Sequence, residues 1–117
     1  MRAGSVLALL IAASAGSAAA QPSAGRYSGE LCVATGEAPA QCGPAAVTLR
    51  QRAMSVQIAD IVYRLALHSS QLDVVLMHGA MQIDGFTANY EWDGPTLVFR
   101  DPDKAVSYRI RVADKRP

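Results

Sequence analysis

The chain has 117 residues, half of them hydrophobic, and a formal net charge of +1 at pH 7. A balance this close to neutral argues against proteins that bind nucleic acids or anionic membranes through a strongly basic surface, because phosphate contacts dominate their affinity. The length suits one small domain with a single hydrophobic core.

The first twenty residues have the pattern of a secretory signal peptide. Arg2 gives a short positive start, Val6–Ala13 form an apolar stretch, and the small residues before Gln21 form an Ala-x-Ala cleavage site. The apolar stretch is shorter than the roughly 20 residues that a membrane-spanning helix needs, and an uncleaved anchor is the alternative. We therefore expect residues 1–20 to be removed and residues 21–117 to form a single small β domain that is periplasmic or secreted.

Signal-peptide removal also changes the charge of the chain. Arg2 is lost with the signal peptide, which leaves 10 basic residues against 10 acidic ones and a net charge of zero. We expect no nucleic-acid partner and no stable membrane insertion of this mature form.

Two cysteines, Cys32 and Cys42, are the only ones in the sequence. An even cysteine count in an exported chain predicts a disulfide. The segment between them contains Gly36 and Pro39 and can bend back on itself. A redox-active pair is the alternative, but such pairs usually have the closer C-x-x-C spacing, so we expect a structural bond.

Beyond Gly25, apolar and polar residues alternate with a period of two, which is typical of strands. The predicted strands are Arg26–Val33, Ala46–Gln51, Met54–Ile58, Ile61–His68, Leu72–His78, Phe86–Trp92, Thr96–Phe99 and Val106–Val112. The connections are too short for parallel crossovers, and Asp93-Gly94 predicts a hairpin. The sequence therefore predicts an all-β fold, a meander of about eight antiparallel strands closed into a barrel, with a β-sandwich as the alternative.

A histidine and two methionines cluster in the segment Val75–Met81. Met77, His78 and Met81, together with His68, are candidate ligands for Cu(I), which prefers thioether and imidazole groups. Alternation along a strand separates Met77 from His78, but a turn at Gly79 would let the side chains converge. Methionines in apolar runs are more often core residues, and this is the competing interpretation.

Catalytic motifs are missing from the sequence. There is no G-x-S-x-G, no Gly-rich phosphate loop and no H-E-x-x-H, and Asp84 and Glu91 are scattered carboxylates of the kind found on any surface. We expect no enzymatic activity and no cofactor, with a small hydrolase lacking a recognisable motif as an alternative to a binding protein.

Arginines and two aromatic residues are the remaining candidates for a binding site. Arginine suits bidentate contacts with carboxylates and phosphates, and Tyr90 and Trp92 lie close to a predicted hairpin tip. The arginines at outward strand positions are Arg50, Arg64, Arg109 and Arg111, with Arg26 and Arg52 nearby. The competing interpretations are a solvated face for the arginines and the core for the two aromatic residues.

These observations favour an exported, non-catalytic binding or inhibitory domain. Its expected partner is a protein or an envelope component outside the cytoplasm, and a periplasmic Cu(I)-binding protein is the alternative. A small barrel is usually filled by its own side chains, so function is expected on its surface and loops.

Processing gives the first testable prediction. The exported protein should begin at Gln21 or within a few residues of it, because the cleavage pattern ends there. Intact-mass measurement of the exported protein checks this, and finding residues 1–20 still attached would contradict it.

Overall fold

Eight strands make up the folded chain. The computed structural model describes residues 21–116, so the predicted signal peptide lies outside the described residues. The strands are β1 (Gly25–Thr35), β2 (Gln41–Leu49), β3 (Ala53–Ile58), β4 (Ile61–Leu67), β5 (Gln71–His78), β6 (Met81–Asp93), β7 (Thr96–Asp101) and β8 (Val106–Arg116). Within this range, no helix is long and apolar enough to cross a bilayer.

The strands form a closed barrel in sequence order. Each strand pairs antiparallel with the next, and β1 also pairs with β8, from Arg26 opposite Arg116 to Thr35 opposite Val106. This pairing removes the two free edges that an open eight-stranded sheet would have. The predicted meander and its closure into a barrel are confirmed.

Over most of the barrel, alternate residues of the strands face the interior, as the period-two pattern predicts. Val47, Val56, Leu72 and Ile110 are among the side chains with almost no exposed surface. Side chains from all eight strands contribute to one hydrophobic core, as expected for a barrel of this size.

An aromatic cluster fills one end of the interior. The rings of Phe99 and Tyr108 stack with centroids 5.0 Å apart, Phe86 lies 5.7 Å from Tyr108, and Tyr63 meets Tyr108 edge to face at 6.0 Å. Burial raises the pKa of the Tyr108 phenol to about 12. Beside the cluster, the buried carboxylate of Asp101 accepts hydrogen bonds from the backbone N–H groups of Asp103 and Lys104 and so fixes the β7–β8 turn.

Closure between β1 and β8 requires a residue without a side chain at Gly29. A Cβ atom there would lie 2.4 Å from the carbonyl oxygen of Arg111 and 3.0 Å from Val47. The register between the two strands also shifts between Tyr27 and Gly29. Glycine therefore permits the close backbone approach by which the barrel closes.

Strand β2 differs most from its prediction. The sequence predicts Ala46–Gln51, whereas the strand begins at Gln41 and ends at Leu49. Pro44 argues against a strand because proline cannot donate a ladder hydrogen bond. It is tolerated because the β2–β3 pairing begins only at Ala46, so Pro44 lies where β2 pairs with β1 alone.

The predicted disulfide is present and joins the two strands of the first hairpin. Cys32 and Cys42 are directly opposite each other on β1 and β2, with their Cα atoms 4.0 Å apart. Leu31 and Val33, on either side of Cys32, belong to the core or pack against it, so the bond lies on the outer wall. A disulfide of this kind persists in oxidising compartments.

Removing the bond should reduce stability without changing the core. A Cys32→Ser, Cys42→Ser double variant should lose about 2–5 kcal/mol of unfolding free energy, because its unfolded chain is no longer constrained. Denaturant titration measures the loss, and the reduced wild-type protein is the matched control. Equal stability of the oxidised wild type and the double variant would contradict the prediction.

Candidate functional site

One end of the barrel carries an open pocket, which we call the mouth. The β2–β3 turn (residues 50–52), the β4–β5 turn (residues 68–70) and the N-terminal segment (residues 21–24) surround it. Its volume is about 530 Å3. The lining residues are Gln21, Pro22, Ala24, Leu49, Arg50, Gln51, Arg52, Leu67, His68, Ser69, Tyr90 and Trp92.

Hydrogen bonds hold the turns of the mouth in place. The backbone N–H of Arg50 donates to the carbonyl of Ala53, and that of Leu67 donates to the carbonyl of Arg52. The hydroxyl of Tyr90 donates to the carbonyl of His68. Tyr90 therefore braces the β4–β5 turn, and the pocket is built from restrained backbone.

The N-terminal segment is tied down as the third wall of the mouth. The hydroxyl of the buried Tyr27 donates to the carbonyl of Ser23 at 2.6 Å, and the Lys115 ammonium donates to the Ser23 hydroxyl at 3.5 Å. Gln21, Pro22 and Ala24 are thereby held against the pocket. The residues that directly follow the predicted cleavage site are thus part of the mouth.

A carboxylate orients the histidine at the mouth. Nε2 of His68 lies 3.1 Å from Oδ2 of Asp73, and Oδ1 of Asp73 accepts a 2.6 Å hydrogen bond from the Thr87 hydroxyl. The Thr87 hydroxyl and then His68 hold the pKa of the Asp73 carboxyl below its usual value. Within the described chain, no hydroxyl or thiol hydrogen-bonds to the imidazole ring of His68, so the pair lacks the activated nucleophile of a Ser-His or Cys-His site.

The charged side chains that line the mouth are basic. Arg50 and Arg52 are exposed, and no Asp or Glu is among the residues that line the pocket. Between residues 21 and 116, no ion pair or side-chain hydrogen bond engages either guanidinium. Both groups are therefore available to an anionic ligand.

The arginines predicted from the sequence divide into two sets. Arg50 lies at the mouth with Tyr90 and Trp92, which both line the pocket while packing against the core. The other three, Arg64, Arg109 and Arg111, are exposed on the strands of the outer wall.

Two of the wall arginines are already compensated. Nη2 of Arg109 lies 3.5 Å from Oδ2 of Asp93, and Nε of Arg111 lies 3.7 Å from Oε1 of Glu30. Exposed pairs of this kind contribute little to stability, but they reduce the charge that a partner would meet.

The four candidate metal ligands do not lie together. His68 precedes β5 and His78 ends it, so roughly 20 Å of strand separates them. His78 is opposite Met81 across the β5–β6 hairpin, and its Nε2 is 2.8 Å from Oδ2 of Asp60. Met81 keeps 64% of its surface exposed, and Met77 faces away from the core side of the strand, on which Leu76 lies.

One other group of metal-binding residue types comes together among the described residues. Glu30, Cys32 and Cys42 offer ligand atoms within 4.8 Å of one another. Both sulfurs are bonded to each other, and a disulfide sulfur is not the thiolate that binds metals.

Comparisons with protein-family models, with curated proteins and with solved structures gave no match to this chain. Its function is therefore argued from the chemistry of the mouth.

Sequence reasoning missed the contributions of His68 and the N-terminal segment to this pocket. The sequence did contain information that could have located part of this pocket, because alternate turns of a meander lie at the same end of the barrel. That rule places the turns at residues 50–52 and 68–70 together. Nothing in the sequence indicates that residues 21–24 fold against them.

The hydrogen bond from Thr87 to Asp73 gives a pH-dependent prediction. Thr87→Val should raise the pKa of the Asp73 carboxyl toward its ordinary 3.8, because the largest cause of its lowering is removed. A lowered folded-state pKa stabilises the fold above the unfolded value, and this contribution is lost as the pH falls through the folded-state value. The variant should therefore lose the contribution at a higher pH than the wild type.

Carboxyl NMR titration measures this change, and Asp84 provides the internal control. A hydrogen bond from Lys104 at 2.7 Å holds the pKa of Asp84 below its usual value, independently of Thr87. An unchanged Asp73 titration, or an equal shift of Asp84, would contradict the assignment.

Proposed function

We propose that the protein is an exported, non-catalytic binding domain that captures a macromolecular partner outside the cytoplasm. The mouth is the binding site. The partner, a protein or an envelope component, presents an anionic group to it.

The observation that carries this proposal is that two arginines without an ion-pair partner among residues 21–116 line one pocket together with two partly exposed aromatic side chains. Arg50 and Arg52 belong to one turn, and Tyr90 and Trp92 belong to β6. Charge-assisted hydrogen bonds from arginine to carboxylate or phosphate are strong and directional. Trp, Tyr and Arg are also the residue types that contribute most to binding energy at interfaces.

The surroundings of the mouth support capture rather than catalysis. The pocket is open to solvent, whereas catalytic sites commonly exclude water. His68 is held by Asp73, and among the described residues no hydroxyl or thiol hydrogen-bonds to its ring. The interior is filled by side chains, so a ligand has access to the surface of this end rather than to a deep cavity.

Replacement of the two mouth arginines should weaken partner capture. The double variant Arg50→Gln, Arg52→Gln should lose affinity by at least about tenfold, because each replacement removes charge-assisted hydrogen bonds. Affinity capture from the secreted or envelope fraction, quantified against the wild type, measures the loss.

The wall arginines provide the matched comparison. Arg109→Gln, Arg111→Gln removes the same charge from groups that already face Asp93 and Glu30. Capture should survive this change. Loss of capture with the wall variant but not with the mouth variant would reject the mouth as the binding site, and turnover of a small molecule by the purified protein would reject a non-catalytic role.

A further inference from the structure

The mouth combines features that single out one class of ligand. Two cationic groups, two aromatic side chains and a rim of neutral hydrogen-bonding groups surround one space, and carboxylates are absent from its lining. The neutral groups are the amides of Gln21 and Gln51 and the hydroxyl of Ser69.

The size of the pocket excludes a lone anion as its full occupant. Its volume of about 530 Å3 lies within the range of roughly 300–1,000 Å3 that is typical of small-molecule sites. A single carboxylate or phosphate would contact the arginines and leave the aromatic side without a partner. The occupant therefore needs a larger body attached to its anionic group.

The closed barrel does not offer, among the described strands, the free sheet edge to which an extended peptide adds. Peptides commonly add as a strand to a free sheet edge, using main-chain hydrogen bonds. At the mouth, the N–H groups of Arg50, Leu67 and His68 are already donated to carbonyls within the turns. Strand addition is therefore not the way a ligand binds here, and the side chains of the lining distinguish one ligand class from another.

A sugar ring matches what these side chains offer. It has apolar C–H faces that can pack against Tyr90 and Trp92, and hydroxyls that can bond to the amide and hydroxyl groups of the rim. An acidic substituent would meet Arg50 and Arg52, for which bidentate geometry favours carboxylate, sulfate or phosphate.

We propose that the ligand of the mouth is an acidic saccharide, a sugar residue that carries a carboxylate, sulfate or phosphate group. This inference rests on the proposed function and names the chemistry of the partner. The partner is then an acidic polysaccharide or glycoconjugate outside the cell membrane, and the barrel holds one of its charged residues at the mouth.

The protein contains its own reporter for this proposal. Trp92 is the only tryptophan in the chain and lines the pocket. Occupation of the mouth should therefore change the intrinsic fluorescence of the purified processed protein, without any label.

The experiment titrates matched ligands against this signal. Oligogalacturonate and its methyl ester share their rings but differ in charge, and oligoglutamate has the charge without the rings. Sulfated and phosphorylated oligosaccharides identify which acidic group is preferred. At least one acidic oligosaccharide should bind saturably, and its neutral or esterified counterpart should bind at least about tenfold more weakly.

Variants of the mouth arginines then test whether the saccharide binds at the mouth. Arg50→Gln and Arg52→Gln should each weaken binding of the acidic saccharide. The double variant should weaken it by at least about tenfold. The matched control is Arg100→Gln, an exposed arginine on β7 that does not line the mouth. Its affinity should equal that of the wild type.

The outcomes separate this inference from the proposed function. If oligoglutamate binds as tightly as the acidic sugars and loses affinity in the double variant, the saccharide inference is wrong and the mouth remains a binding site for acidic groups. If no acidic saccharide binds with a Kd below about 1 mM, the saccharide inference is overturned. If partner capture also survives the double variant, the proposed function falls with it.

Discussion

Closure of the sheet, through pairing of the first strand with the last, is the constraint on which the rest of the structure depends. With β1 paired to β8, each strand has a neighbour on both sides, and one set of alternate side chains is enclosed. Gly29 permits this closure because any Cβ there would overlap the backbone of β8. The disulfide between Cys32 and Cys42 joins β1 to β2, the other neighbour of β1, on the outer wall and does not occupy the core.

The site follows from the topology of the meander. Because successive strands run in opposite directions, the turns at residues 50–52, 68–70 and 94–95 lie at one end, and the other four connections lie at the opposite end. The aromatic cluster around Tyr108 fills the interior toward that opposite end. At the mouth a pocket stays open, and the buried side chains of Leu49 and Leu67 form part of its floor.

Charge is distributed unevenly over residues 21–116, which carry equal numbers of acidic and basic side chains. The connections at the mouth carry Arg50 and Arg52 and no carboxylate, whereas those at the opposite end carry Glu37, Asp60 and Asp103 with Lys104. Net charge alone therefore does not show that the turns at the mouth are basic and those at the opposite end are mostly acidic. A surface of this kind can orient an approaching anionic partner toward the mouth, although screening at physiological ionic strength limits the effect to about 8 Å.

The sequence by itself determined the fold class, because strand periodicity and short connections allow few other arrangements. Alternation identified most of the strands, and the cysteine count identified the disulfide. The sequence also identified Arg50, Tyr90 and Trp92 as candidate binding residues, because arginine, tyrosine and tryptophan are residue types that often contribute to binding. The early start of β2 was missed because Pro44 is disfavoured within a strand unless one side of it is unpaired.

Only the tertiary structure decided which candidates lie together. Register and closure placed Arg50, Trp92 and His68 around one pocket and left Arg109 and Arg111 facing carboxylates on the wall. The same register put His68 and His78 at opposite ends of β5. These outcomes depend on contacts between residues far apart in the chain. A local sequence pattern predicts the face of a strand on which a residue lies. It does not predict the residue's neighbours on other strands, and those neighbours determine the chemistry of the site.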